Sequence, residues 1–508
     1  MNTIIEKQKE IPVRYNIDVA IIGGGTAGTV AAIAAARLGM DVLIVERQGS
    51  LGGVATTGLM ASIANKFYDS HFSKIMGGIP FEVMERLVEE GGTKFPSMDE
   101  TMNSKLVCPF TIPFQPEKLS YVLLKMAKEA GVKTLLHTHF SHMIGSGENP
   151  EGFVAVNKSG QSAILAKVMI DASGDADLAA AAGAPCIKPD FTWGLLMRMG
   201  DVDHQKVLDA LSQTKEWEPW PEFTKWLSEH LKMTPEEIKA DRHWHHLIDP
   251  LPFSHAPSRY KGDGSYSPEK LKWIQHRWET EGIYYNIETV LYRRQLKKAV
   301  EDGEFELVKD IPGFGKIWLG FDGFAGGAWG QGVALMNVCS AARGFDGTNG
   351  EHVSMAEVEG RLYSHEIARF FNKYVPGFEN AYILDISSQF VPRAARSIIG
   401  QESAPSDEKG KKPDTIYLFR DLYNPESEVR EIPYSVLVPQ KINNILVAGK
   451  CASEGIKIRS MSSCMAMGQA AGTAAYLMIK EGKSNNQVDI DKLRQLLIKN
   501  GAILEMPV

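Results

Sequence analysis

Gly23, Gly25 and Gly28 stand in the order G-x-G-x-x-G, and Glu46 follows eighteen residues after the last of them. Residues of these types at this spacing hold a dinucleotide. Gly23 permits a tight turn, Gly25 lets a pyrophosphate come against the backbone, and Gly28 lets a helix pack close to a strand. Glu46 is placed to accept from ribose hydroxyls. A second chemistry needs proton transfer and anion recognition. His255, in Pro252-Phe253-Ser254-His255, and Tyr285, in Tyr284-Tyr285, are candidate general bases, because oxidising C–OH or C–NH requires a proton acceptor. Arg393 and Arg396 in VPRAARSIIG, and Arg459 ahead of a small-residue helix, offer planar forks suited to a carboxylate or a developing oxyanion. Each of these arginines is equally suited to a structural ion pair.

The elements that must position these residues follow from pattern. Residues 17–22 form an apolar, β-branched run, the mark of a strand buried on both faces. A small-residue helix runs from the glycines to about Leu38, Gly39 stops it, and residues 42–45 make a second buried strand. The segment LGGVATTG from Leu51 suits backbone pressed against a ligand, although an ordinary loop explains it as well. One amphipathic helix is expected near 80–90. Another opens at Gln115-Pro116-Glu117 and ends at Gly131, and residues 132–140 read as a single strand. Strands at 153–156 and 163–170 flank a Lys158-Ser159-Gly160 turn. The second ends in DASGDAD from Asp171 and an alanine-rich helix, a strand–turn–helix unit that could face the same ligand. Residues 355–374 read as a long helix with Ser354 and Glu357 spaced as a capping box. INNILVAG at 442–449 returns to the buried-strand style. The small-residue helix after it should begin around Ser462–Cys464, pointing bare N–H groups at something anionic.

At 508 residues the chain exceeds one ordinary core, so two or more domains are expected. Its 44% hydrophobic and 23% charged residues are those of a globular protein, and the net charge of −7 gives no footprint for nucleic acid or an anionic membrane. Residues 1–15 are charged and lack the apolar stretch of a secretory signal, and no segment reads as a membrane span, which implies a cytoplasmic protein. The five cysteines form no CxxC pair, so neither a disulfide framework nor a dithiol centre is expected. His137 and His139 alternate on one strand of the dinucleotide-binding part, and His243, His245 and His246 lack carboxylates at ligand spacing, so no metal is expected at either set. All nine tryptophans fall between Trp193 and Trp329. They either wall a substrate pocket or fill the core of a smaller domain.

Taken together, GGGTAGTVAA, LGGVAT, MGGIPFEVMERL, FQPEKL, VMIDASGDADLA, VEGRLYSHEIARF, VPRAARSIIG, NILVAGKCAS and SCMAMGQAAGTAA resemble the FAD-dependent oxidoreductases of the two-dinucleotide-binding-domain superfamily. More narrowly, the chain is similar to the broad bacterial family of FAD-dependent oxidoreductases, distantly like fumarate reductase flavoproteins. The resemblance implies an α/β fold in which a discontinuous Rossmann-like FAD-binding domain (1–60, 116–190 and 430–508) carries an inserted α+β substrate or cap domain (61–115 and 191–429). It assigns Gly23, Gly25 and Gly28 to the pyrophosphate, Thr26 and Ala27 to the cofactor site, and Glu46 to the adenosine ribose. Arg47 and Gly53 fall near the adenosine and phosphates, and Phe140 near the adenine. Ala172, Gly174 and Asp175 lie under the cofactor, while Gly449, Ser463 and Cys464 approach the ribityl chain and flavin ring.

The implied activity is dehydrogenation of a small polar substrate (a sugar, glycoside or hydroxy acid) by hydride transfer to flavin N5, with His255, Tyr285, Arg393 and Arg459 as the catalytic candidates. Reduction of an activated C=C and a flavin-bound protein without turnover are the alternatives. No second GxGxxG follows a strand after Gly28, so electrons should leave to an external acceptor such as oxygen, a quinone or a redox protein. A homo-oligomer is compatible with the family.

Overall fold

The computed structural model describes residues 9–94, 111–188, 193–212, 220–240, 283–284, 293–401, 412–420, 429–453 and 458–506, apart from short gaps at 65, 70–72, 313–314, 323–327, 331, 343–344 and 394. Up to Ala181 the elements used here are β1 Val13–Ile22, α1 Thr26–Arg37, β2 Val42–Val45, α2 Ile79–Glu89, α3 Pro116–Glu129, β3 Lys133–Leu135, β4 His139–Ile144, β5 Gly152–Asn157, β6 Gly160–Asp171 and α4 Asp177–Ala181. There follow β7 Trp193–Gly200, β8 Val308–Ile311, β9 Gly315–Asp322, β10 Ala334–Ala342, α5 Gly350–Tyr374, β11 Tyr382–Ile386, β12 Ile445–Val447, α6 Met461–Glu481 and α7 Ile490–Lys499.

A seven-stranded sheet runs in the order β3-β2-β1-β6-β5-β4, with β12 beside the end of β6. β3, β2, β1, β6 and β12 are parallel, whereas β5 and β4 continue from the first half of β6 as an antiparallel ribbon. Where helices cover the parallel strands they are apolar: all of β2 and residues 19–22 of β1 are buried. α1 is built almost wholly of small residues, since α6 lies directly upon it. A Cβ on Gly468 or Gly472 would stand 2.2 Å from the carbonyl of Ala27 or Ala31. This pairing sets the two helices parallel, with their N-termini on the same side of the sheet.

A second sheet, fully antiparallel, runs β8-β9-β10-β7-β11. α5 packs on it, and its core is aromatic: Phe223, Phe305, Tyr363, Phe370, Phe371 and Phe378 are all buried. Trp226 is the one tryptophan of the nine whose side chain is described. It packs against this core, stacked on His230 at 5.4 Å, which is a filling role and not a pocket wall. A small third cluster of Leu59, Ala61, Leu196 and Leu335 joins the two lobes.

Several expectations meet differences. The strand expected at 132–140 is broken into β3 and β4, because His137 adopts a left-handed φ of 49° and donates its N–H to the Gln48 carbonyl. α5 begins at Gly350, earlier than expected. Asn349 caps it by accepting from the amides of Glu351 and His352, while the Ser354 hydroxyl bonds back to the Gly350 carbonyl inside the helix. The Ser354–Glu357 capping box is therefore not formed. Although the sequence assigns 61–115 to the substrate domain, Ile63, Phe67, Val83, Leu87 and Phe114 of that stretch lie in the first core, where α2 packs on α3 and α6. Among the described residues no helix is long and apolar enough to cross a membrane.

Candidate cofactor site

The glycines do what their spacing requires. Gly23 has φ of 96°, and a Cβ on it would lie 2.3 Å from the Ala172 carbonyl oxygen. A Cβ on Gly28 would lie 1.9 Å from the carbonyl oxygen of Gly23, so the helix can start so close to the strand only without a side chain there. Gly25 differs: a Cβ added to it meets nothing within 4 Å. The open space stands over the first turn of α1, which has no side-chain cap and no acidic residue. The amides of Thr26, Ala27 and Gly28 there have no intrahelical acceptor. A phosphate group fits that combination of bare donors, positive dipole end and vacant volume. The LGGVAT segment joins it, for Gly52 donates to the Gly24 carbonyl at 2.7 Å and a Cβ on Gly53 would be 3.0 Å from Gly25 Cα.

Glu46 is buried, and its carboxylate ties the loop from beneath. Oε2 accepts from the Gly24 amide at 2.6 Å and Oε1 from the Gln48 amide at 2.7 Å. A carboxylate has about four acceptor positions, so ribose hydroxyls can still be taken up by oxygens whose direction is already set. Arg47 is exposed and donates to Gln389 Oε1 at 3.2 Å, which turns its guanidinium toward the second lobe. Phe140 lies in β4 opposite Ala155, beside the register shift between Phe140 and His142, with its ring 5.9 Å from that of Phe153.

The turn after β6 completes the crevice at the carboxyl ends of the parallel strands, where such sheets bind ligands. Asp171 is fully buried and accepts from Ser173 N at 3.0 Å, Ser173 Oγ at 2.7 Å and Ala179 N at 2.8 Å. Burial pushes its carboxyl up to about 6 against the pull of the Ala179 amide, with Asp177 raising it further. The Ala172 amide donates to the Ile22 carbonyl at 2.8 Å, and Gly174 has φ of 87° against the Lys450 side chain. Asp175 pairs with Lys450 Nζ at 2.6 Å. Arg396 is held by the Asp175 carbonyl and the Asp177 carboxylate, both at 2.8 Å, so it is a structural ion pair. Gly449 has φ of 104°, and a Cβ on it would stand 3.3 Å from Ala27 Cβ.

α6 supplies a second helix N-terminus. It begins at Met461, slightly earlier than expected, and Ser460 caps it by accepting from the Ser463 amide. Ser463 N–H is therefore occupied, and the amides without an intrahelical acceptor are those of Met461 and Ser462. Burial pushes the Cys464 thiol up to about 12 despite Lys450, Arg459 and Lys66 nearby, which makes it a packed, protonated group. Gly468 faces Ala27 at the start of α1, and Met461 precedes Gly468 by seven residues. At 1.5 Å per residue α6 thus starts about 10 Å beyond α1. Two positive helix ends offset along one line suit an extended, doubly anionic ligand. The signal in the sequence is the match of Gly468-x-x-x-Gly472 to Ala27-x-x-x-Ala31, two small-residue faces at helical spacing.

The structure thus brings together Gly23, Gly25, Thr26, Ala27, Gly28, Glu46, Gly53, Ala172, Gly174, Asp175 and Gly449. Of the catalytic candidates, His255 and Tyr285 lie outside the described residues, as do His243, His245 and His246. Arg393 is half-buried next to the strand Val391–Pro392, which pairs with Trp193–Gly194, and Arg459 immediately precedes the α6 cap. Missed by sequence reasoning were Lys450, Ser460 and the Thr57–Gln389 contact, none of which carries a spacing signal. Among the described residues no group of His, Cys, Asp and Glu could hold a metal ion.

Comparison with known proteins gives the same family. The family model described as FAD dependent oxidoreductase matches residues 18–416 and 417–497. No curated protein matches the chain. Among solved structures it is similar to a geranylgeranyl bacteriochlorophyll reductase-like protein from Thermoplasma acidophilum, at 12% identity, 96% of this chain, 82% of that chain and a TM-score of 0.43. It is also similar to a myxobacterial chondrochloren halogenase, at 12% identity, 95% and 78% coverage and a TM-score of 0.39. A third is aklavinone-11 hydroxylase, in a ternary complex with FAD and aklavinone, at 12% identity and a TM-score of 0.38. The match covers 92% of this chain and 62% of that one. The family match runs from within the first buried strand into the last helix, and so the chain belongs to the FAD dependent oxidoreductases, an enzyme family whose cofactor is FAD.

Proposed function

We propose that this oxidoreductase dehydrogenates a small polar substrate, namely a sugar, a glycoside or a hydroxy acid. The observation that supports it most is the junction between the lobes. Gln389 of the second lobe accepts from Arg47 and Gln48 and donates to Thr57 Oγ1, and Ser388 N donates to the Thr57 carbonyl at 2.9 Å. Leu196 and Leu335 of β7 and β10 pack on Leu59 and Ala61 directly behind the LGGVAT segment. The antiparallel lobe is thereby fastened to the loop that lines the cofactor crevice, the position from which an inserted domain can present a substrate.

When bound, FAD supplies the two-electron acceptor that dehydrogenation requires. In this reading His255 or Tyr285 takes the proton from the substrate hydroxyl, and Arg393 and Arg459 orient an anionic group through their planar forks. Oxygen, a quinone or a redox protein then serves as the external acceptor.

The test is anaerobic mixing of the FAD-loaded protein with a panel of polyols, sugars and hydroxy acids, following loss of the oxidised-flavin absorbance. At least one member should bleach it. His255→Ala or Tyr285→Phe should slow that bleaching by about 10²–10⁴-fold with FAD still bound. Arg393→Lys should mainly weaken an anionic substrate, because its charge stays and its fork is lost. A panel without effect, together with reoxidation of the reduced protein by an enoate, would replace this reading with C=C reduction.

A further inference from the structure

A separate concavity lies at the other end of α1. Its volume is about 400 Å³, within the range of small-molecule sites. Of α1 it touches Ala34 and Arg37, nine and twelve residues past Gly25, or about 14–18 Å along the helix axis from the pyrophosphate turn. None of the cofactor-site residues lines it. Its floor is built, not incidental. Gln469, buried in α6, accepts from the Ile79 amide at 2.9 Å and donates to the Asn500 carbonyl at 3.3 Å. Gly78 keeps that floor open, since a Cβ there would lie 2.4 Å from Gln469 Oε1.

Charges of both signs line the walls, and they are in two different conditions. Arg37 and Glu82 close on each other through bonds of 2.6 and 2.8 Å, and Arg86 holds Glu82 from beside it at 2.8 Å. Lys74 and Glu85 are not closed. The Lys74 ammonium lies 3.1 Å over the centroid of the Phe81 ring, and among the described residues it makes no hydrogen bond or ion pair. Burial holds it below the usual lysine range, with the charge of Glu85 acting the other way from beyond ion-pair distance. A simple anion would meet Lys74 but also Glu82 and Glu85, whereas a simple cation would meet the reverse. A ligand bearing one carboxylate and one ammonium answers both open groups, and Ile79 and Phe81 give it an apolar wall.

We propose that this cleft binds a small zwitterion of the α-amino-acid class, its carboxylate on Lys74 and its ammonium toward Glu85. Because none of its lining residues belongs to the cofactor crevice, it is an effector site and not a substrate site. It stands whether or not the reaction proposed above is correct.

Isothermal titration of the FAD-loaded full chain with glycine, alanine, leucine and phenylalanine tests it, with the N-acetyl derivatives and the matching primary amines as controls. At least one amino acid should bind, and neither class of control should. Lys74→Met and Glu85→Gln should each weaken that binding about tenfold or more, as expected for loss of one charge-assisted contact. FAD content and absorption should stay unchanged, which separates this site from the cofactor crevice. The proposal is overturned if no amino acid binds up to about 10 mM. It is equally overturned if the controls bind as well, or if binding survives both substitutions.

Discussion

The two lobes are held together by opposite means. In the first, α1 and α6 meet through glycine and alanine, and a single methyl group at Gly28, Gly468 or Gly472 would collide with backbone. In the second, the space between sheet and α5 is filled by large rings, with Phe370, Phe371 and Phe378 in edge-on contact at 4.9–5.4 Å. Small residues bring backbone amides close enough to serve as the binding surface. Large ones fill volume and leave binding to other groups. The difference teaches where ligand and packing demands coincide: in the first lobe one residue type meets both, and in the second they are separable.

The largest effects should come from the glycines. Gly28→Val forces a branched side chain into the Gly23 carbonyl and is expected to abolish both fold and flavin. Gly25→Val enters open space, so the apoprotein should keep its circular dichroism and melting point while holding less than about a tenth of the wild-type FAD. If the two variants behave alike, the distinction between packing glycine and ligand glycine fails. Phe371→Ala, fully buried in the second core, should cost about 3–5 kcal/mol in denaturant unfolding. The FAD content of its folded fraction should be unaltered. Flavin loss in proportion to the destabilisation would show that the lobes unfold as one unit.

Asp171 gives a smaller, pH-dependent effect in the first lobe. Its carboxyl sits at about 6, above the ordinary 3.8. A raised folded-state value means stability that is fully present below pH ~4 and lost as pH rises through ~6. The loss is on the order of 3 kcal/mol for this group. Unfolding free energies of wild type and Asp171→Asn at several pH values should differ in slope across that window, and parallel curves would exclude the assignment. The smallest effect belongs to the second lobe's helix start. Asn349→Ala should cost about 1 kcal/mol, and Ser354→Ala less than about 0.5 kcal/mol. The reverse order would restore the capping box that the structure lacks.

Much of the first lobe was legible because its constraints are local. The strand at 17–22, the three glycines, the stop at Gly39 and the turns at Gly131 and Gly160 each follow from what one residue can do to its own backbone. The antiparallel lobe was far less legible. An aromatic residue such as Trp226 suits a pocket wall or a core equally, and only its neighbours His230 and Phe223 decide. The arginines divide in the same way: Arg396 became a structural pair because Asp175 and Asp177, some 220 positions earlier, turn toward it.

By itself, then, the order of residues determined the dinucleotide fingerprint, its flanking strands and helix, and through them the cofactor class, since steric freedom at glycine and hydrophobic period are properties of the local chain. Tertiary structure alone decided that Glu46 is committed to Gly24 and Gln48, and that Gly468 and Gly472 dock on Ala27 and Ala31. It also decided that Gln469 of α6 bonds to the Ile79 amide and floors the cleft that Lys74 and Glu85 line. These are contacts across as many as 441 positions, as between Ala27 and Gly468, and no local preference of the chain encodes such a distance.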